Sequence, residues 1–315
     1  ECTITTAIVG YLDTSNIVTI PAKCTMIYKG AIKASTRKNN ADITTLKFKD
    51  KAECTEIGEY AFYGENNFQP TGSSLLSTVD LSNSKISSIG AYAFSHCNSL
   101  KSVTWPTAGT IKVIGDSCFE NDNALTAVNL PSTVGSVGAY AFAHNNSLKS
   151  VVSYGTLGEY AYAYNNVLDN AVVNGNIGTG AFYGDQLLRS VKINASYIGN
   201  EAFYNDTALE SVDLSSSTSL KTIGKKAFYG CALNGVIIPG TVTLIDKNAF
   251  ENSKLSDVTF VDQSDLSIGE RAFYNNSLKS ASIADSCVEI DEEAFAEKEE
   301  WLAVLGEAIY QYQKK

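Results

Sequence analysis

The sequence predicts a repeat solenoid, in which one chain of 315 residues winds into a stack of similar coils. The first observation is a module, G-x-x-A-F followed by L-x-x-V. The second is its spacing, because 233 residues over ten intervals give a mean period of 23.3 residues. One coil of this length cannot bury its apolar side alone, whereas stacked coils share a continuous core. The aromatic residue of the module recurs at Phe62, Phe94, Phe119, Phe142, Tyr162, Phe182, Phe203, Phe228, Phe250, Phe273 and Phe295.

Each part of the module has an expected structural role. The aliphatic residue before the glycine, such as Val137, points inward, and Gly138 permits either a positive φ or a close approach between coils. The residues around Phe142 are predicted to form one short helical turn. The segment from Leu148 to Val151 has the alternation of a strand with one buried face. We therefore expect a curved, right-handed coil, of α/β to mainly β character, with one long parallel sheet.

A polar residue or cysteine stands three positions after the aromatic residue in most copies. Asp122, Asn145 and Asp206 are examples, and Cys97 and Cys231 occupy the same position. Side chains of the Asp and Asn type hydrogen-bond to backbone groups that a bend leaves without partners. We predict that they stabilise the bend that precedes each strand.

The two ends of the chain depart from the module. Residues 1–32 are predicted to form a β-rich N-terminal cap with a degenerate first repeat, including a hairpin between residues 3–9 and 17–21. Residues 33–291 form the solenoid of about eleven coils. Residues 292–315 are predicted to contain the last repeat phenylalanine and a C-terminal helix that caps the stack; a helix that binds a partner is the alternative. The apolar residues at helical spacing are Phe295, Leu302, Leu305, Ile309 and Tyr312.

Composition excludes several classes of function. The net charge is −10 and the pI is about 4.8, so the chain lacks the basic surface that nucleic acids and anionic membranes require. No apolar run reaches the roughly 18–20 residues of a membrane-spanning helix. Position 1 is not a methionine. We expect any signal or anchor to lie outside this sequence.

Candidate reactive residues fit structural roles better than chemical ones. Cys97, Cys118 and Cys231 occupy module positions and are predicted to be buried thiols. Cys2 and Cys24 leave open an N-terminal disulfide. The spacing of cysteines and histidines does not fit a zinc site, and no catalytic arrangement is evident, so we predict no catalytic residue, metal or cofactor. His96 and His144 are interpreted as turn residues. Four Asn-x-Ser/Thr motifs are interpreted as turn chemistry rather than glycan acceptors, at Asn145, Asn194, Asn205 and Asn275.

The full pattern I-G-x-x-A-F-x-x-C/N-x-x-L-x-x-V-x-L-P resembles the BspA-type leucine-rich repeats of bacterial and protist surface proteins. The period of 23.3 residues lies in the leucine-rich-repeat range of roughly 20–29. The resemblance covers about residues 18–296. It implies a secreted or surface-attached protein with a role in adhesion or recognition. It implies no catalytic residues, because the family motif is structural throughout.

Two variable surfaces are candidates for binding a protein ligand. The first is the outward side of the predicted strands, where small and apolar residues leave room for an extended ligand. The second is a set of tyrosines next to the module phenylalanine, which stacking would align into columns; shielding of the core is the alternative role. The candidate strand-face residues are Thr104, Asn129, Val152, Val172, Lys192, Asp213 and Ile237. The candidate tyrosine columns contain Tyr140, Tyr160, Tyr183, Tyr204, Tyr229 and Tyr274.

The sequence therefore favours a non-enzymatic, extracellular or cell-surface binding module that engages a host or matrix protein. We expect a monomer that does not insert into a membrane. The alternative is a structural spacer that holds another domain away from the cell surface.

Overall fold

A computed structural model describes residues 2–4, 16–31, 43–64, 75–261, 265–282, 287–291 and 293–295. These residues contain 24 β-strands, and no α-helix occurs among them. The chain forms two compact units, Glu1–Asn166 and Val167–Lys315. The C-terminal helix predicted over 292–315 falls almost entirely outside the described ranges.

The strands of the first unit are β1 (Cys2–Ile4), β2 (Ile17–Ile20), β3 (Cys24–Ile27), β4 (Thr45–Phe48), β5 (Glu56–Ile57), β6 (Thr78–Asp80), β7 (Ser88–Ile89), β8 (Ser102–Thr104), β9 (Val113–Ile114), β10 (Ala127–Asn129), β11 (Ser136–Val137), β12 (Ser150–Tyr154) and β13 (Thr156–Leu157). The strands of the second unit are β14 (Asn170–Asn174), β15 (Ser190–Asn194), β16 (Tyr197–Ile198), β17 (Ser211–Asp213), β18 (Thr222–Ile223), β19 (Gly235–Ile238), β20 (Leu244–Ile245), β21 (Asp257–Phe260), β22 (Leu266–Ile268), β23 (Ser280–Ser282) and β24 (Cys287–Ile290).

Parallel pairing between successive coils is confirmed, but the prediction of one long sheet is wrong. Most coils contribute two strands, one ending at the aliphatic residue before the glycine and one centred on the valine of L-x-x-V. In the first unit the order is β1-β3-β5-β7-β9-β11-β13 in one sheet and β2-β4-β6-β8 in another, and β10 pairs with β12. In the second unit the orders are β14-β15-β17, β16-β18-β20-β22-β24 and β19-β21-β23.

The described part of the N-terminal segment pairs with the first coils, and residues 5–15, which include most of the first strand and the turn of the predicted hairpin, lie outside the described residues. β1 pairs with β3 and β2 pairs with β4, and both pairs are parallel. The degenerate repeat is a true coil, because Ile27 pairs with Ile57 and both side chains are buried. The exposed first edge of the repeats is therefore extended by strands of the same kind.

The module glycines allow neighbouring coils to approach closely. A Cβ atom built on Gly138 would lie 2.5 Å from the backbone nitrogen of Asp116 and 2.6 Å from the carbonyl carbon of Gly115. Gly58 has the same relation to Lys29 N, at 2.6 Å. Of the two roles predicted for these glycines, close approach is the one that the structure shows at Gly138, since its φ is not positive.

The predicted short helical turns are wrong. Positive φ angles occur at the residue two positions before the module aromatic residue and often at the residue two positions after it, as at Tyr140 (55°) and His144 (60°). Left-handed backbone at these positions interrupts a right-handed helix. The segment instead forms consecutive tight turns, in which Ala141 N donates to Gly138 O at 3.4 Å and Ala143 N donates to Tyr140 O at 3.1 Å. Hydrogen bonds to the next coil, such as Phe142 N to Ala161 O at 2.7 Å, hold this conformation.

The core of each unit is built around a ladder of stacked rings. From Phe62 to Tyr162 successive ring centroids lie 5.1–5.2 Å apart. From Phe182 to Phe295 they lie 5.0–5.1 Å apart. The ring planes are parallel within 10°, and the rings are buried. Truncating one such ring to alanine typically costs about 3–5 kcal/mol, so these ladders dominate the stability of the fold.

A second, polar ladder runs beside the rings at the position three residues after each of them. Asn145 N donates to Asn165 Oδ1 at 2.8 Å, and Asp122 N donates to Asn145 Oδ1 at 2.6 Å. The Asn145 Nδ2 group donates to the carbonyl oxygens of Phe119 and Phe142 at 3.0 and 3.1 Å. The prediction that these residues satisfy backbone groups is confirmed, and their partners include neighbouring coils.

Asp122 and Asp206 stand in this polar ladder as fully buried carboxyls. Their Oδ1 atoms accept hydrogen bonds from the backbone nitrogens of Cys97 and Asp185, at 2.7 and 2.8 Å. Within the described residues, their Oδ2 atoms have no partner. In each residue this Oδ2 atom occupies the place that Nδ2 has in Asn145, where it donates to carbonyl oxygens. Burial raises the pKa of both carboxyls well above its ordinary value, which favours the neutral acid.

Candidate functional site

The strand-face residues predicted from the sequence do occupy outward positions. Burial alternates along the strands, as in β15, where Val191 and Ile193 are buried and Lys192 is exposed. Thr104, Asn129, Lys192 and Ile237 are exposed, whereas Val152, Val172 and Asp213 are half-buried. Ile237 is the most exposed large apolar side chain among the described residues, at 61%.

The first unit has a cleft on this face between β8 and β10. The two strands belong to different groups of paired strands, since β8 pairs with β6 and β10 pairs with β12. The cleft has a volume of about 400 Å³ and contains the predicted residues Thr104 and Asn129. Val103 lies in its wall and is only half-buried, although the equivalent Val128 is buried.

The second unit has a larger cleft, which we call the β17–β19 cleft, and it contains the predicted residues Asp213 and Ile237. Its volume is about 720 Å³. β17 pairs with β15 and β19 pairs with β21, so the cleft lies where two sheets end beside each other. Its lining is Val212, Asp213, Leu214, Ser215, Ser217, Thr218, Gly235, Val236, Ile237, Pro239, Gly240, Thr241, Asp257, Thr259 and Val261.

Both clefts follow a long coil. The module phenylalanines flanking them are 25 residues apart, from Phe94 to Phe119 and from Phe203 to Phe228. In each of these coils the extra residues lie between the central valine of the strand and the next module isoleucine. An equally long interval separates Leu46 from Ile57, yet β4 pairs with β6. Coil length by itself therefore does not show which strands are left unpaired.

The tyrosines form stacked columns, as the sequence predicted, but their ring faces are occupied. Tyr140 and Tyr160 stack at 5.2 Å. Tyr183, Tyr204 and Tyr229 stack in series, with centroids 5.0 Å apart at each step. These rings present edges and hydroxyl groups to a ligand, because their faces contact each other.

Tyr274 stands apart from this series because Glu251 takes the intervening position. The Glu251 carboxylate is buried and accepts a hydrogen bond from Arg271 Nη2 at 2.8 Å. The Arg271 guanidinium lies 3.8 Å from the centre of the Tyr274 ring. The column is therefore discontinuous in the second unit.

The cysteines have the structural character expected of buried thiols. Cys97, Cys118 and Cys231 are buried, and burial raises the pKa of each thiol. Cys24 and Cys54 are also buried. Each stands three residues before a repeat isoleucine, Ile27 or Ile57, which is the position that Ile86 and Ile111 occupy in later coils.

β1 places Cys2 opposite Cys24, which is the adjacency that a disulfide needs. Cys24 Sγ donates to Met26 O at 3.4 Å. The pKa of the Cys54 thiol is raised, chiefly by its hydrogen bond with Cys24 and secondly by burial. The disulfide between Cys2 and Cys24 stays a prediction.

The two histidines and the motifs at Asn145, Asn205 and Asn275 lie in or beside turns, whereas Asn194 is the last residue of strand β15. His96 and His144 both have positive φ, at 65° and 60°. No cluster of three possible metal-ligating side chains occurs among the described residues. Asn145 is fully buried, and its amide is committed to two carbonyl oxygens, so it is not accessible to glycosylation in the folded chain. Asn194, Asn205 and Asn275 are exposed.

Sequence comparison decides the family. The BspA type leucine rich repeat region matches in six copies, over residues 68–177 and 175–300, which together span well over half of the chain. The chain belongs to the BspA-type leucine-rich-repeat family. No curated protein sequence matches this BspA-type chain. Within the described ranges, it contains no helix that is long and apolar enough to cross a membrane.

Several solved structures are similar to this BspA-type chain at low sequence identity. A leucine-rich repeat protein from Bacteroides ovatus is 19% identical with a TM-score of 0.50, and the alignment covers 90% of this chain and 86% of that one. The pneumococcal vaccine antigen PcpA is 20% identical with a TM-score of 0.47, over 99% and 80% of the two chains. A leucine-rich repeat protein from Eubacterium ventriosum is 19% identical with a TM-score of 0.47, over 89% and 82%.

Proposed function

We propose that this BspA-type chain is a non-enzymatic protein-binding module that acts at the cell surface or after secretion and engages a host or matrix protein through its strand face. The observation that carries the proposal is the β17–β19 cleft with the exposed side chain of Ile237 beside it. Exposed apolar side chains next to a concave surface are typical of protein-interaction sites. The low content of charged residues, 18%, is in keeping with such a surface.

The strand face is a better candidate than the tyrosine columns. Of the six candidate tyrosines only Tyr140 is exposed and the others are half-buried, and the rings that stack contact one another through their faces. The β17–β19 cleft combines apolar walls with depth, which lets a partner side chain be desolvated. Desolvated pockets at the centre of an interface carry most of the binding free energy in known complexes.

Replacing Ile237 with lysine is expected to weaken binding to a partner protein by about tenfold or more, which is about 1.4 kcal/mol. Lysine at this site places a hydrated charge where the partner would bury an apolar side chain. The measurement is surface plasmon resonance against purified fibronectin, laminin and collagen. Val113→Lys is the matched control, because Val113 is an exposed β-branched residue on a strand outside the clefts, at 42%.

Wild-type affinity in the Ile237→Lys variant would contradict the assignment of the strand face. Failure of the wild-type chain to bind any protein of the panel would favour the spacer alternative, in which the solenoid only separates other domains. Because Ile237 is exposed, we expect both variants to fold, and urea unfolding midpoints close to that of the wild type provide the check.

A further inference from the structure

The β17–β19 cleft opens between two neighbouring strands that do not form a ladder. Asn234 N donates to Glu210 O at 3.2 Å just before the two strands begin, whereas no ladder hydrogen bond joins β17 and β19 themselves. The two strands lie too close together for a third strand to enter between them, since an inserted strand needs roughly 4.8 Å on each side. A ligand therefore lies on the outward face of the cleft, where an extended peptide segment can follow the direction of the strands.

The floor and walls of the cleft are apolar. Val212 and Val236 are the central, buried valines of the two strands. Ile237 and Val261 are exposed by 61% and 44%. Gly235 has no side chain, so the backbone of β19 is open to close approach at that residue. An aliphatic side chain of the ligand would remove this surface from water at little steric cost.

The charged side chains that line the cleft are all acidic. Asp213 and Asp257 line it, and its lining contains no lysine or arginine. Hydrogen bonds from Ser215 hold the pKa of Asp213 below its ordinary value, so the carboxylate is ionised at neutral pH. Lys192 Nζ lies 3.7 Å from Asp213 Oδ2, but both side chains are about half exposed, so this ion pair is weak. The cleft is thus complementary to a cation.

The two carboxylates are offset along the strand direction. Asp257 pairs with Gly235, whereas Asp213 occupies the module position that corresponds to Ile237, two residues further along. Two residues of extended chain span roughly 7 Å, and residues i and i+2 point to the same side. A ligand can therefore place an aliphatic side chain in the cleft and a basic side chain two residues away, next to a carboxylate.

We propose that the β17–β19 cleft binds an extended peptide segment of a partner protein, in which an aliphatic side chain is flanked at two residues' distance by lysine or arginine. This inference rests on the proposed function and names the kind of segment that the strand face recognises. The peptide lies extended along the outward face of the cleft. Its aliphatic side chain packs against Ile237 and Val261, and its basic side chains face Asp213 and Asp257.

The test is fluorescence anisotropy with two labelled synthetic peptides and the whole chain. One peptide has a central valine, a lysine two residues away on each side, and threonine elsewhere. The matched peptide has glutamate in place of both lysines. The lysine peptide is expected to bind saturably, and the glutamate peptide at least about tenfold more weakly, because like charges repel in the cleft.

Variants locate the peptide. Ile237→Ser is expected to lower the affinity for the lysine peptide by about tenfold, which corresponds to about 1.4 kcal/mol. Asp213→Asn combined with Asp257→Asn is expected to weaken it by a similar factor and to remove most of the salt dependence. Val113→Ser and Asp169→Asn are the matched controls, since both replace exposed residues outside the clefts and should leave the affinity unchanged.

Equal binding of the two peptides, or wild-type affinity in the Ile237→Ser variant, would overturn the inference. If the lysine peptide does not bind but Ile237→Lys still abolishes binding to a matrix protein, the inference about peptide class is wrong and the proposed function stands. If the lysine peptide binds with the expected sensitivity to its charge and to the cleft variants while Ile237→Lys leaves matrix-protein binding unchanged, the inference holds and the proposed matrix-protein function is wrong.

Discussion

Replacing Gly138 with alanine is expected to lower the free energy of unfolding by about 3 kcal/mol. The new Cβ would lie 2.5 Å from Asp116 N and 2.6 Å from the carbonyl carbon of Gly115. These are backbone atoms, and the neighbouring coil cannot move away without breaking the hydrogen bond from Gly138 N to Ile114 O at 2.8 Å. Urea unfolding followed by circular dichroism measures the effect.

Gly135→Ala is the matched control, three residues earlier in the same coil. A Cβ at Gly135 would meet only Lys112 O, at 3.7 Å, which is an ordinary contact, and its φ is not positive. We expect a change within about 0.5 kcal/mol of the wild type. Equal destabilisation by Gly135→Ala and Gly138→Ala would show that close coil approach is not the role of the module glycine.

Replacing Asp122 and Asp206 with asparagine is expected to stabilise the chain at pH 7, by about 1–3 kcal/mol at each site. The amide group supplies a donor where the second carboxyl oxygen has no partner among the described residues. Asparagine performs this function at the equivalent Asn145. The expected result is a higher urea midpoint for the double variant at neutral pH.

The pH dependence has a defined sign. Burial raises the pKa of Asp122 and Asp206 in the folded state. Above the ordinary Asp pKa of about 3.9, the unfolded chain releases these two protons while the folded chain keeps them. Their contribution to stability is fully present below about pH 3.9 and is lost as the pH rises through the folded pKa. The advantage of the double variant should therefore shrink as the pH is lowered from 7 towards 4.

Asp169→Asn is the control for this experiment, because Asp169 is an exposed carboxylate whose partners, Arg189 and Asn170, are exposed as well. Its unfolding profile should follow that of the wild type between pH 4 and 7. A double variant at Asp122 and Asp206 that gains no stability at pH 7 would mean that these carboxyls are not held as neutral acids.

Much of the fold could be predicted from residue pattern. The recurrence of Phe142 and its ten counterparts predicted a stacked core, and the rings do stack. Alternation around Val191 predicted which strand residues face outward, and Lys192 does so. These predictions succeed because the spacing of apolar residues in a repeated sequence shows directly which side chains face the core.

Other features depended on the neighbouring coil and could not be predicted from one module. The short helical turn around Phe142 was wrong, because hydrogen bonds to the next coil hold Tyr140 in a left-handed conformation. The single sheet was wrong, because residues such as Ser136 and Val137 form a second set of paired strands. In both cases the partner of the backbone group lies about one period away in the sequence.

The candidate site shows the same division. The sequence placed Asp213 and Ile237 on the outward face of the strands, and it contained the 25-residue interval, Phe203 to Phe228, whose extra residues lie between them. Only the tertiary structure showed that β17 and β19 are not paired with each other and that a cleft opens between them.

By itself, then, the sequence determined the repeat, its period, its core and its outward face, since each depends on the polarity of residues within one coil. The tertiary structure decided the turn conformation, the two strands of most coils, the buried acids and the clefts. Each of these depends on which groups of adjacent coils come within hydrogen-bonding distance, and the pattern of a single module does not contain that information.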